Sequence, residues 1–78
     1  MKTTRYFDAT RTRQDRKEIQ VQWIQRVIDR PDYQQTQSDG RIRKWARIPE
    51  AGDKYLRVVL LFDGETVHNA FFDRGFKP

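Results

Sequence analysis

The chain has 78 residues with no cysteine, one histidine and a net charge of +5. This length predicts one domain over residues 1–78 with a small core, so any site is expected in a surface groove rather than a large cavity. The cysteine content excludes a disulfide scaffold and a structural zinc site, and it favours the cytoplasm. No residue pattern indicates a cofactor or metal site. Residues 1–48 carry 12 Lys/Arg against 6 Asp/Glu, which predicts attraction to polyanions such as RNA, although such charge also serves solubility.

The first predicted element is a short strand over residues 4–12. Residues 1–10 lack the apolar segment of a signal peptide. The longest apolar run, residues 58–62, is too short to span a bilayer. A cytoplasmic location without a membrane partner is therefore expected.

The main helix is predicted to follow, with Asp15 and Glu18 as a capping box at its start. Pro31 is expected to end it near residues 29–30. Apolar residues recur at helical spacing and form one face that covers a sheet. They are Ile19, Val21, Trp23, Ile24, Val27 and Ile28.

The remainder is predicted to be β-structure. Asp-Gly pairs at 39–40 and 63–64 are typical hairpin turns. The four predicted strands cover residues 33–38, 41–48, 55–62 and 65–73. One N-terminal helix packed on an antiparallel meander of about four strands is an α+β fold, and the sheet face that the helix leaves open is the expected place for a site.

The last hairpin determines which side chains share that open face. A two-residue turn at 63–64 predicts that Val59 lies opposite His68 and that Arg57 lies opposite Ala70. Arg57 and His68 would then be diagonal neighbours, close enough to contact one phosphodiester. The same register places Asn69 on the core side. A bulge would change this arrangement.

The strand over residues 41–48 alternates between apolar and basic residues. The predicted nucleic-acid-binding stripe consists of Arg41, Arg43, Trp45 and Arg47. Guanidinium groups beside an indole suit single-stranded nucleic acid, with phosphates on the arginines and a base on the ring. The alternative is an exposed strand whose charges deter edge pairing, with the tryptophan packed under arginine stems.

The predicted catalytic residues are His68, Arg57 and Arg74, with Asp73 or Tyr55 assisting. Histidine titrates near neutral pH and serves as a general acid or base. Metal-free RNA cleavage needs such a group for the 2′-hydroxyl proton, together with cations for the charged phosphorane. The alternative is that His68 is a half-buried strand residue bonded to a neighbour.

Several segments resemble one known family. Ile-Asp-Arg-Pro-Asp at 28–32 precedes Ser-Asp-Gly-Arg-Ile at 38–42, and Leu-Arg-Val-Val at 56–59 leads into Asn-Ala-Phe at 69–71. The pattern resembles small bacterial domains of unknown function grouped with the RelE/BrnT-like toxins of toxin–antitoxin pairs. It extends over residues 16–77.

The resemblance implies a RelE-like fold and a metal-independent endoribonuclease of the mRNA interferase type. RNA would be the substrate and a small acidic antitoxin the partner. The matching positions are Arg57, His68 and Arg74. The chain is shorter than the better-known toxins and its C-terminal half is not basic. A non-catalytic module that binds RNA or protein therefore stays open as the alternative.

Overall fold

The computed structural model describes residues 1–14 and 16–78 and has an α+β architecture. Its sheet is a four-stranded antiparallel meander in the order β1-β2-β3-β4. A 3₁₀ turn at Pro49–Ala51 joins β2 to β3. The described elements are α1 (Arg5–Thr10), α2 (Val21–Asp29), β1 (Tyr33–Thr36), β2 (Ile42–Ile48), β3 (Lys54–Leu60) and β4 (Val67–Phe72).

The predicted strand over residues 4–12 is wrong, because this segment forms α1. Thr4 caps the helix, and its side chain accepts a hydrogen bond from the Phe7 amide. Phe7 is buried in the core, and α1 packs against β4. The chain just before α1 runs beside β4, where the Thr4 amide donates to the Val67 carbonyl at 3.1 Å.

The main helix is shorter than predicted. It begins at Val21, after Gln20, which supplies no side-chain cap. Asp15 of the predicted capping box lies outside the described residues. Before the helix the chain makes turns, and Arg11 holds the Ile19 carbonyl at 2.6 Å. Ile19 is buried although it precedes the helix. Val21, predicted to lie on the apolar face, is 51% exposed.

Helix α2 packs on β2 and β3 and covers one face of the sheet. The predicted alternation of β2 is confirmed, since Ala46 and Ile48 are in the core and Lys44 reaches the Ile28 carbonyl on the helix side. The buried core contains Phe7, Ile19, Ile24, Val27, Ala46, Ile48, Leu56, Val58, Leu60, Val67 and Ala70. The opposite sheet face, which α2 does not cover, is called the open face.

The predicted register of the last hairpin is correct at its turn and wrong beyond it. Leu60 pairs with Val67, but Val59 pairs with Asn69, so β4 contains a bulge at His68. Asn69 therefore shares the open face with Val59, and Ala70 lies in the core. This reverses the predicted positions of Asn69 and Ala70, because side chains alternate between faces along a strand.

Candidate functional site

The open face carries basic and aromatic side chains from β2, β3 and β4. Its middle rows are set by two pairings, Trp45 with Arg57 and Arg43 with Val59. Alternation along β2 and β3 sends all four side chains to the side opposite α2. The middle of the open face therefore carries two arginines, Arg43 and Arg57, beside Trp45.

A groove of about 310 Å³ lies at the β4 side of this face. It is called the His68 groove, and its lining includes two of the predicted catalytic residues, Arg57 and His68. Arg57 and His68 line one groove as predicted, although the bulge gives β4 a register that differs from the predicted one. The lining residues are Tyr6, Gln37, Arg41, Arg57, Val59, His68, Asn69 and Phe71.

His68 is held from two sides by residues of the α1 segment. Its ring stacks on Tyr6 with centroids 4.9 Å apart and planes at 24°. Its Nδ1 lies 3.1 Å from Thr4 Oγ1, which leaves Nε2 for a ligand. Burial, and next the charge of Arg41, lower the pKa of His68 below its ordinary value of 6.5. The ring is therefore neutral at pH 7 and able to accept a proton.

Arg57 lies between two aromatic rings in the centre of the open face. Its guanidinium carbon is 5.1 Å from the centroid of Phe71 and 5.7 Å from that of Trp45. Asp73 is its acidic neighbour, with 3.7 Å between Nη1 and Oδ2. Burial, and next the charge of Arg43, lower the pKa of Arg57, while Asp73 acts in the opposite direction.

The Nε atoms of Arg43 and Arg57 are buried and lack a hydrogen-bond partner among the described residues. Buried donors without partners are costly, and two neighbouring guanidinium groups repel each other. Asp73 lies within ion-pair distance of Arg57. An anion bound between the two arginines would reduce the repulsion and accept hydrogen bonds from them.

Trp45 is covered by the C-terminal tail, defined as residues 73–78. Phe76 stacks on the indole with centroids 4.7 Å apart and planes at 16°. Asp73 accepts a hydrogen bond from Trp45 Nε1 at 3.0 Å. The indole is only 6% exposed. The predicted stacking of a base on Trp45 would therefore require the tail to move, because Phe76 occupies that position.

The predicted stripe and catalytic set are divided among several places. Arg41 lines the His68 groove, and Arg43 lies opposite Val59 on the open face. Arg47 lines a separate cavity on the α2 side and lies 3.8 Å from Asp53. Arg74 lines another pocket, at the end of β4. The structure thus brings Arg57 and His68 together and separates Arg74 from them.

Two further properties bear on what the site can hold. In residues 1–14 and 16–78, no three histidine, aspartate or glutamate side chains converge as a metal site would require. Neither α1 nor α2 has the length and apolar character needed to cross a lipid bilayer. The polar side chains that line the His68 groove are arginines, an imidazole, a phenol and amides.

Sequence reasoning missed Tyr6 and Thr4, which hold the histidine. A signal exists for Thr4, because Thr4 followed by Asp8 has the form of a helix N-cap with an acid in the first turn. It also missed Arg16, whose Nη1 donates to Asn69 Oδ1 at 2.6 Å. That contact links residues far apart in sequence, and no local pattern predicts it.

Comparisons with protein-family models, with curated proteins and with solved structures gave no match to this chain. The site is therefore interpreted from its own geometry. That geometry consists of a neutral histidine, two arginines with buried unpaired Nε atoms, and a groove open along one sheet face.

Proposed function

We propose that the protein binds single-stranded RNA across its open face, with one phosphodiester in the His68 groove. The observation that carries the proposal is the set of Arg41, Arg57 and His68 lining one groove. A phosphate there would face two guanidinium groups and the free Nε2 of the histidine. Arginine binds phosphate through paired, charge-assisted hydrogen bonds, and these are stronger than neutral ones.

Tyr6 gives the groove an aromatic side chain beside the cations. It stacks on His68 and is 48% exposed, so part of its ring is accessible to a base. Stacking on an aromatic ring contributes about 1–3 kcal/mol per base in single-strand binding. Tyr6 therefore takes the role that the sequence assigned to Trp45.

The test is fluorescence anisotropy of a labelled oligouridylate at several salt concentrations. Wild-type affinity is expected to fall with salt, with a slope of about −0.7 per neutralised phosphate. Arg57→Gln is expected to weaken binding about tenfold, since a hydrogen bond to a charged group contributes about 1.5–3 kcal/mol. Lys2→Gln removes the same charge from an exposed residue paired with Glu65 and is the matched control.

Two outcomes would contradict this proposal. In one, the wild-type affinity is independent of salt. In the other, Arg57→Gln and Lys2→Gln lower affinity equally, which would indicate a general charge effect rather than a groove. Circular dichroism of both variants establishes that each remains folded.

A second candidate function is metal-independent cleavage of the bound RNA, as a RelE-like toxin would perform it. The specific observation is the lowered pKa of His68 next to Arg41 and Arg57. A neutral imidazole would take the 2′-hydroxyl proton as the 2′-oxygen attacks phosphorus, and the arginines would hold the phosphorane charge. The imidazolium would then return the proton to the 5′-oxygen as its bond to phosphorus breaks, which leaves a 2′,3′-cyclic phosphate.

Induced expression in bacteria distinguishes cleavage from binding alone. Growth arrest with RNA fragmentation in wild type, and neither in His68→Ala, would support the toxin. Normal growth with intact RNA in both would leave the binding function. A small acidic antitoxin is the partner that the toxin hypothesis requires, and co-expression of a neighbouring acidic reading frame would then restore growth.

A further inference from the structure

A second basic pocket lies at the end of β4, apart from the His68 groove. It has a volume of about 310 Å³ and is more enclosed than that groove. It is called the Arg74 pocket, and its lining residues are Arg16, Glu18, Lys54, Phe71, Phe72 and Arg74. Lys54 and Arg74 supply two exposed cations and Glu18 one carboxylate, while Arg16 is already bonded to Asn69.

The pocket is built on two phenylalanine rings that orient its cations. The Lys54 ammonium lies 5.5 Å from the centroid of Phe72, and the Arg16 guanidinium lies 5.1 Å from that of Phe71. Arg16 is also fixed by Asn69 and by the Ala70 carbonyl. Cations held over rings keep their positions with less loss of side-chain freedom on binding.

Phe71 joins the two sites, because it lines both the Arg74 pocket and the His68 groove. Arg57 contacts this ring from the groove, at the same 5.1 Å distance as Arg16. Asn69 lines the groove and accepts a hydrogen bond from Arg16. A strand of RNA lying in the groove would therefore reach the pocket by passing over Phe71.

We propose that the Arg74 pocket binds a terminal phosphate monoester of the RNA strand whose backbone lies in the His68 groove. This inference rests on the proposed function. A phosphate monoester carries a charge of about −1.5 to −2 at pH 7 and an internal diester carries one negative charge, so Lys54 and Arg74 attract a terminal monoester more strongly. An enclosed pocket also suits a chain end, since a continuing strand needs two openings. Arg74, placed in the catalytic set by the sequence, acts here as a binding residue.

The experiment is a competition measurement with three unlabelled hexauridylates, which carry a 5′-phosphate, a 3′-phosphate or hydroxyls at both ends. One phosphorylated form is expected to bind wild type about tenfold more tightly than the hydroxyl form. Lys54→Gln and Arg74→Gln are expected to abolish that difference, and Lys54→Gln is expected to lower the affinity for the hydroxyl form no more than Lys2→Gln does. Lys2→Gln, far from the pocket in an exposed pair with Glu65, is expected to keep the difference.

The outcomes separate this inference from the proposed function. If all three RNAs bind wild type equally, the pocket assignment is wrong and the groove assignment stands. If none binds, the proposed function fails, and an inorganic phosphate titration followed by NMR decides the pocket alone. Shifts near Lys54 and Arg74 that disappear in Lys54→Gln would then support a phosphate site, and their absence would overturn it.

Discussion

Phe76→Ala removes the ring that covers Trp45 and is expected to destabilise the protein by about 2 kcal/mol. The Phe76 ring contacts Trp45, Tyr33 and Tyr55 at centroid distances of 4.7, 5.3 and 5.1 Å. A fully buried Phe→Ala change costs about 3–5 kcal/mol, and each favourable ring pair contributes about 0.5–1.5 kcal/mol beyond burial. Because Phe76 is half-buried, a value below the full cost is expected.

Urea unfolding monitored by tryptophan fluorescence measures this loss. A Trp23→Phe background leaves Trp45 as the single tryptophan, so its emission reports the tail directly. The emission is expected to shift to the red in Phe76→Ala, and the melting temperature to fall by about 10 °C. Phe62→Ala is the control, since Phe62 is 83% exposed and its loss is expected to cost less than about 0.5 kcal/mol. An unchanged unfolding midpoint in Phe76→Ala would refute the packing of the tail on Trp45.

Three other predictions concern the histidine, the first helix and the last turn. In an NMR titration of the free protein, the pKa of His68 is expected to lie below 6.5, and the folded state therefore loses stability as pH drops below 6.5. RNA binding is expected to raise this pKa, and a free-protein value at or above 6.5 would contradict the prediction. Thr4→Ala is expected to cost about 1 kcal/mol in thermal unfolding, because the Phe7 amide loses its cap, and an unchanged melting temperature would argue against the cap. The Thr66 hydrogen bonds hold the pKa of Asp63 at about 2, below its ordinary 3.8, so its stabilisation is present above pH 3.8 and lost towards pH 2. Asp63→Asn is expected to flatten that part of the acid-unfolding profile, and an unchanged slope would refute it.

The sheet could be predicted because its signals are local. Alternation along residues 42–48 identified the core face of β2, and Asp39-Gly40 marked its first turn. Gly40 has φ +90°, a conformation that glycine adopts without strain. The end of α2 was likewise predictable, because Pro31 disfavours helix at the residue before it.

The N-terminal segment could not be predicted by periodicity alone. Six residues are too few for a helical pattern to differ from a strand pattern. Helix α1 exists because Phe7 is buried against β4, more than 50 residues away in the chain. Tertiary packing of this kind outweighs local propensity, and short helices are marginal without it.

The site was predicted in part, and the bulge explains the difference. The sequence placed Arg57 and His68 on one face by assuming a regular hairpin, and they do line one groove. The extra residue in β4 changes their neighbours, because it places Asn69 and Phe71 opposite Val59 and Arg57. A bulge has no simple sequence signal, and neither does the return of Phe76 onto Trp45.

We propose that RNA binds across the open face with a phosphate in the His68 groove. The most direct test is a titration of ¹⁵N-labelled protein with oligouridylate, followed by NMR chemical-shift changes. The largest changes are expected around Arg41, Arg57 and His68. Changes confined to α2, for example at Gln25, or no changes at low salt, would contradict it.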